Sequence, residues 1–333
     1  MRACALLFLV GLAACMGSPE VVGSAERGPG SSERSTTRSL GSAKGTRGST
    51  FAAGAPGSAG SGSEGPASPT ATGPYEGLGT WIDIYDTDVW EHPAHAVRSM
   101  AAHGIRTIYL QSSNYHRNRP FVHPEGVGAI LDAAQRRGLE VVAWYLPGFL
   151  DLPLDLHRAV RTIRFETRHG NGFDSFALDI ESAEVRRPSL RTARLLRISA
   201  AIRRAAGAEY PLGAIVASPD RLVRTDPHFW PGFPWRELAE TYDVFLPMTY
   251  YTYRVEGPRA AAWYTAQSVR IIRRQTSGLR VPIHVVGGIS FDATGRETQG
   301  FVDTVLERDV IGASYYTFPG ITLDQWKALS AIG

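Results

Sequence analysis

Over residues 74–333, short apolar runs rich in β-branched and aromatic residues alternate eight times with amphipathic stretches. The runs are "LGTWIDIYD" (78–86), "IRTIYLQSS" (105–113), "LEVVAWYLP" (139–147), "FDSFALDIE" (173–181), "YPLGAIVAS" (210–218), "YDVFLPMTYY" (242–251), "VPIHVVGGI" (281–289) and "VIGASYYTF" (310–318). Apolar strands separated by helical patterns are the mark of a parallel sheet covered by helices. Helices are expected over 94–104, 126–138, 189–207, 297–309 and 323–332; the first three end on Gly104, Gly138 and Gly207, a common helix stop. The segment is close to the ~250 residues typical of one closed barrel. The chain is therefore predicted to be an α/β protein with a (β/α)8 TIM barrel over 74–333. An open doubly wound sheet is the rival, but no glycine-rich phosphate loop follows the first run.

Two earlier segments do not belong to that pattern. Residues 1–15, "MRACALLFLVGLAAC", carry one Arg, an apolar run and then small residues, which predicts a secretory signal peptide. The run is shorter than the ~20 apolar residues that span a bilayer. "LAAC" (12–15) also resembles the bacterial lipoprotein box, and that resemblance implies cleavage before Cys15 and a lipid on its sulfur. An ordinary signal peptide with an incidental Cys15 is the alternative. Residues 16–73 shift to Gly, Ser, Ala, Thr and Pro with no apolar period, too little to offset chain entropy, so a disordered tether is expected. The expected location is the extracellular face of the cell membrane, lipid-anchored, or secreted.

The net charge of +3 is spread along the chain, which argues against a nucleic-acid partner. Cys4 and Cys15 are the only cysteines, so residues 74–333 hold no disulfide, thiolate nucleophile or Cys-ligated metal. The nine histidines are dispersed without zinc-site spacing, and neither metal nor cofactor is expected. No Gly-x-Ser-x-Gly elbow is present, which counts against an esterase. Neither Lys44 nor Lys327 lies at a strand end, which counts against a Schiff-base barrel.

The chemistry is expected in "FDSFALDIES" (173–182). Catalytic groups of a barrel lie at the C-terminal strand ends, and Asp179 and Glu181 close the fourth run. Their i, i+2 spacing points both to one face with Ala177, while Phe176, Leu178 and Ile180 face the helices. Two carboxyls that close cannot ionise together easily, so one pKa should rise. Glu181, nearer the mouth, is expected to be the general acid, with Asp179 ionised and orienting a partner. Structural acids that bind backbone amides or an Arg are the bland alternative.

"DSFALDIE" (174–181) resembles the fourth-strand motif of family-18 chitinases, Asp-Gly-x-Asp-x-Asp-x-Glu. Asp174, Asp179 and Glu181 match; Ser175 replaces the Gly and Ala177 the middle Asp. "PMTYY" (247–251) resembles the same family's Met-x-Tyr-Asp, with Met248 and Tyr250 matching and Tyr251 in place of the Asp. The resemblance implies Glu181 as the acid, Asp179 as the group that holds a substrate N-acetyl, and Tyr250 as the stabiliser of the resulting ring. Asp174, Met248 and Tyr251 join it as candidate substrate-site residues. The strand-one Asp83 together with "FALDIE" is similar to family-25 lysozymes, which implies Asp83 as a third carboxylate across the mouth.

Sugar rings stack on aromatic planes, and Trp144 and Tyr316 are the aromatic residues chosen for the pocket, with Asp83 and Gln111 as polar contacts. "TDPHFWPGFPW" (225–235) is either a cleft lid or a packed loop. The expected function is a glycoside hydrolase acting as a monomer on a polysaccharide, a cell-wall glycan or chitin-like chain. The alternative is a non-catalytic carbohydrate-binding barrel.

Overall fold

A computed structural model of the chain describes residues 71–333. The predicted signal peptide, Cys15 and all but the last residues of the tether (16–73) lie outside the described residues.

Eight parallel strands form one sheet: β1 (Gly77–Ile82), β2 (Thr107–Asn114), β3 (Glu140–Leu146), β4 (Ser175–Ile180), β5 (Leu212–Val216), β6 (Val244–Pro247), β7 (His284–Ile289) and β8 (Gly312–Tyr316). Their order is β6-β5-β4-β3-β2-β1-β8-β7, and bridges from Phe245 to Ile283 and from Met248 to Val286 join β6 to β7. The ring is a (β/α)8 barrel, as the sequence predicts, and all eight strands fall inside their predicted runs, apart from a residue added at the edges of β1 and β2.

Helices cover the outside: α1 (Thr87–Glu91), α2 (Pro93–Ala102), α3 (Pro124–Gln135), α4 (Leu152–Ile163), α5 (Pro188–Ala206), α6 (Trp235–Thr241), α7 (Pro258–Gln275), α8 (Gly295–Glu307) and α9 (Leu323–Leu329). Four of them open on a proline, at 93, 124, 188 and 258, where the missing N–H costs no hydrogen bond. Thr294 with Glu297, and Thr322 with Gln325, form capping boxes that start α8 and α9.

Alternation decides what fills the ring. Registered partners on parallel strands share a face, so Gln111, Trp144, Ala177 and Gly213 form one inward row. Below it, Tyr75 enters from the N-terminal pole. Its hydroxyl shares a hydrogen bond with Ser175, and His284 Nδ1–H donates to its carbonyl at 2.7 Å. Burial drives the His284 pKa down to about 4, so the imidazole is neutral at pH 7.

Tyr109 lies 6.3 Å from the Tyr75 ring, and Trp81 stacks on Tyr109 at 4.4 Å with 15° between planes. Trp81 in turn meets Trp144 edge-on at 5.7 Å. Each such ring removes roughly 150–250 Å² from water, about 4–6 kcal/mol before entropy is counted.

Space for these rings comes from glycine. A Cβ on Gly79 would lie 2.6 Å from Tyr109 Cε2, and one on Gly213 would lie 2.7 Å from the Tyr75 hydroxyl and 2.8 Å from Leu246 Cδ1. Gly213→Ala should therefore overpack the barrel floor and cost about 1–3 kcal/mol. Urea unfolding of the variant beside its parent measures this, and an unchanged midpoint would contradict the packing argument.

Candidate active site

β4 delivers Asp179 inward, and Glu181 follows at the strand end. Both are buried, at 4 % and 8 % exposure. Asp179 Oδ1 has no hydrogen-bond partner. Burial, and next the nearby Glu181 charge, push the Asp179 pKa well above the carboxylate range. Both causes act against the expectation of an ionised Asp179. The reason is depth. Asp179 sits one pleat further into the ring than Glu181, and no donor reaches its Oδ1.

Trp144 on β3 is buried beside this pair in the inward row, and its indole Nε1–H is likewise without a partner. Two buried polar groups on neighbouring strands thus point into the mouth with their bonding unmet. Unmet buried groups are uncommon in native proteins and ask for a reason.

Across the ring, Asp83 follows β1. Its carboxylate accepts from Tyr85 N–H at 2.6 Å and from the Tyr316 hydroxyl at 2.9 Å, and its own N–H donates to Asp86 Oδ2 at 2.9 Å. Burial raises the Asp83 pKa, and burial with the Asp83 charge raises Asp86 to about 8. Burial also lifts the Tyr316 phenol well above its ordinary value, with Asp83 adding to it. Tyr316 therefore stays a hydrogen-bond donor. Tyr250 lies 6.0 Å from the Tyr316 ring, and Trp81 lies 6.3 Å from it, so these three rings floor the mouth.

Tyr250 has a left-handed backbone, φ 28°, at the end of β6, anchored by its N–H to Gly287 O at 3.0 Å. Backbone strain at a non-glycine residue persists only where surrounding structure holds it, and it gathers at functional sites.

The remaining candidates separate. Gln111 lies in the inward row, but its carbonyl oxygen accepts from Ile84 N–H at 3.1 Å, so it braces the end of β1. Met248 is buried just past β6 and bridges to Val286. Asp174 is a correction. It precedes β4 and accepts from Val141 N–H at 2.7 Å beside Glu140, at the N-terminal pole, away from the mouth.

Tyr251 is the second correction. It is fully buried, its hydroxyl bonds that of Tyr315, and its ring lies 6.3 Å from Phe301 of α8. It packs between sheet and helix, because the turn at Tyr250 breaks the strand alternation. The 225–235 segment proves to be a packed loop: Trp230, Phe233 and Trp235 are buried, and Arg191 lies 4.4 Å from the Trp230 ring.

Sequence reasoning misses Glu184. It is exposed on the loop after β4 and accepts from the Tyr115 hydroxyl at 3.2 Å. Burial, then Glu184 and Glu181, raise the Tyr115 pKa to about 12, which sets this phenol near the acids as a neutral donor. A signal for it exists: Glu184 lies three residues past Glu181 in the same rim loop. Among the described residues, no three His, Cys, Asp or Glu side chains gather as a metal would require. A groove of about 650 Å³ between the start of α4 and α5, lined by Leu150, Pro153 and Arg194, holds none of these acids. The acids, not that groove, occupy the C-terminal end of the strands, where the catalytic groups of barrel enzymes lie.

Asp86 in the folded chain ionises only near pH 8, while an unfolded aspartate ionises near pH 4. Folding keeps a proton that the unfolded chain releases, so this group's contribution is intact below about pH 4 and is lost as pH rises toward about 8. Asp86→Asn removes the titration and keeps an acceptor for Asp83 N–H. Thermal melts should show the Tm difference moving in favour of the variant between about pH 5 and about pH 8. A difference constant with pH would contradict the assignment.

No protein-family model matches the sequence, and no curated protein matches it. The fold does match solved structures. An endo-β-1,4-mannanase from Thermotoga petrophila aligns with a TM-score of 0.58 at 11 % identity, covering 74 % of this chain and 69 % of that one. A GH5_18 protein from Streptomyces cattleya, solved in complex with Manβ1-4GlcNAc, aligns at 0.56 and 16 % identity, covering 77 % and 79 %. The glycoside hydrolase domain of PgaB (BpsB) from Bordetella bronchiseptica aligns at 0.53 and 12 % identity, covering 77 % and 98 %. The similarity establishes for this chain a barrel of the architecture those hydrolases use.

Proposed function

We propose that the chain is a glycoside hydrolase acting on a polysaccharide, a cell-wall glycan or chitin-like chain, with Glu181 as the general acid. The observation that carries this is the Asp179–Glu181 pair at the C-terminal end of β4, beside the unpartnered Trp144 indole. A carboxyl held beside a second one, each disfavouring the other's charge, keeps a proton available for acid-assisted cleavage of a glycosidic bond. Glu181 gives its proton to the glycosidic oxygen as the bond to the anomeric carbon breaks and the leaving sugar departs as an alcohol; a water oxygen then bonds to the anomeric carbon and its released proton returns to the Glu181 carboxylate. Asp179, holding its own proton, spares Glu181 a second negative charge when the Glu181 carboxylate forms. The Asp179 hydroxyl and Trp144 N–H are donors for an acceptor such as a substrate N-acetyl oxygen. Tyr250 and Tyr316 supply the apolar floor against which a pyranose packs. The architecture shared with the mannanases and with the PgaB domain supports the same reading.

A specific observation favours a second reading, a non-catalytic carbohydrate-binding barrel. Ala177 leaves no carboxyl beneath Asp179, and Tyr251 leaves no acid at the end of β6. One experiment separates the two. Purified protein is incubated with labelled β-1,4-linked N-acetylglucosamine, β-1,4-linked mannose and peptidoglycan glycan oligomers. Release of reducing ends by the parent, lowered about 10²–10⁴-fold in Glu181→Gln with glycan binding retained, is the expected outcome. Binding without release by the parent favours the second reading, and neither binding nor release overturns both.

We also propose that the chain is held at the extracellular face of the membrane by a lipid on Cys15. Cys15→Ser should move the protein from the membrane fraction to the soluble fraction of a bacterial host. A parent protein already soluble, with an unmodified or uncleaved N-terminus by mass spectrometry, would refute the anchor.

A further inference from the structure

Among the described residues, three aromatic side chains are largely exposed: Tyr85 (40 %), Trp263 (48 %) and Phe291 (61 %). Trp263 belongs to α7, on the outside of the barrel. Tyr85 and Phe291 follow β1 and β7, the two strands that flank β8. They therefore stand on the C-terminal rim, one on each side of Tyr316, itself at the end of β8.

Neither ring is a loose surface residue. Phe291 lies against Gly320, where a Cβ would fall 2.8 Å from its Cδ2 and Cε2 atoms. The backbone that carries it is laced down on both sides. Ser290 N–H donates to Tyr316 O at 2.6 Å, Ser290 Oγ–H donates to Thr317 O at 2.8 Å, and Gln325 Nε2 donates to Ser290 O and Ala293 O, each at 2.9 Å. Tyr85 is fixed through its N–H to Asp83 Oδ1 at 2.6 Å, with the Arg117 guanidinium 5.8 Å from its ring centroid. A rigid exposed ring loses little freedom when a partner stacks on it, which makes it an efficient anchor.

β8 is four strands from β4 in either direction around the ring. Eight tilted strands about 4.8 Å apart close to a ring ~15 Å across. One sugar at Glu181 does not reach from the acids to the opposite rim. A glycan chain lying across the mouth does.

We propose that Phe291 and Tyr85 frame a distal subsite that stacks a pyranose ring at least one sugar removed from the bond held at Glu181, so that the mouth selects chains over disaccharides. This rests on the glycan-acting reading above and adds the substrate's length and direction to it: the chain runs from β4 toward the β7–β8–β1 rim. Phe291 is the better anchor, being the more exposed ring and the one seated on glycine.

The test is calorimetric titration of the full-length Glu181→Gln protein with di- and hexasaccharides of β-1,4-linked N-acetylglucosamine and of β-1,4-linked mannose. With Phe291→Ala added, hexasaccharide binding should weaken about tenfold while disaccharide binding stays within about twofold. Phe291→Trp should restore it, and Leu150→Ala, an exposed apolar residue after β3, should leave it unchanged. Hexasaccharide binding untouched by Phe291→Ala, or an equal loss for both lengths, overturns the distal subsite and leaves the glycan reading standing. Binding of neither length overturns both.

Discussion

A closed ring of eight strands has a fixed inner width, and here aromatic rings fill it. Tyr75, Tyr109 and Trp81 form a column, with Trp144 and Tyr316 above. The column fits only because Gly79 and Gly213 carry no side chain where it passes. Everything at the mouth inherits its height from this filling. With the lower interior occupied, the first inward positions able to face a ligand are those at the last pleat of each strand. Asp179 on β4 is at that level, and Tyr316 on β8 and Asp83 after β1 stand opposite.

Electrostatics then divide the mouth in two. On the β4 side, burial and the Glu181 charge press the Asp179 carboxyl toward its neutral form. On the β1–β8 side, Asp83 is bonded by Tyr85 N–H and the Tyr316 hydroxyl, and Asp86 takes up the like-charge strain. Burial raises the pKa of both carboxyls; the N–H and O–H groups brought to Asp83 oppose that rise, and Asp179 Oδ1 has no such donor. For the proposed cleavage, that division would separate a proton-donating side from a binding side within one opening.

Much of this is legible in the residue pattern. The alternation of Phe176, Leu178 and Ile180 with Ala177 and Asp179 sets which way the acids of the fourth strand point, and eight such runs set the barrel. Strand ends are not legible. Asp174 lies only five residues from Asp179, yet an extended chain rises about 3.3 Å per residue, so the two sit at opposite poles. Nothing in "FDSFALDIE" marks Ser175 as the first paired residue. Tyr251 departs from its expected place for another reason: parity counting assumes an unbroken strand, and the left-handed turn at Tyr250 ends it. Which of the two carboxyls is pushed up by burial is out of reach because spacing reports that they are close, not how deep each one lies. The helix after the fifth strand also leaves too weak a pattern to be predicted, α6 being only seven residues long.

Tyr250 couples conformation to side-chain identity in a way that constrains what evolution can do with the sixth strand. A glycine would occupy φ 28° at lower conformational cost. A tyrosine endures there because the N–H bond to Gly287 and the neighbouring Tyr316 ring fix it from two directions. Trimming the phenol would therefore also dissolve part of what justifies the contorted main chain. Robustness and ring placement cannot be tuned separately at that position, so drift there is penalised twice.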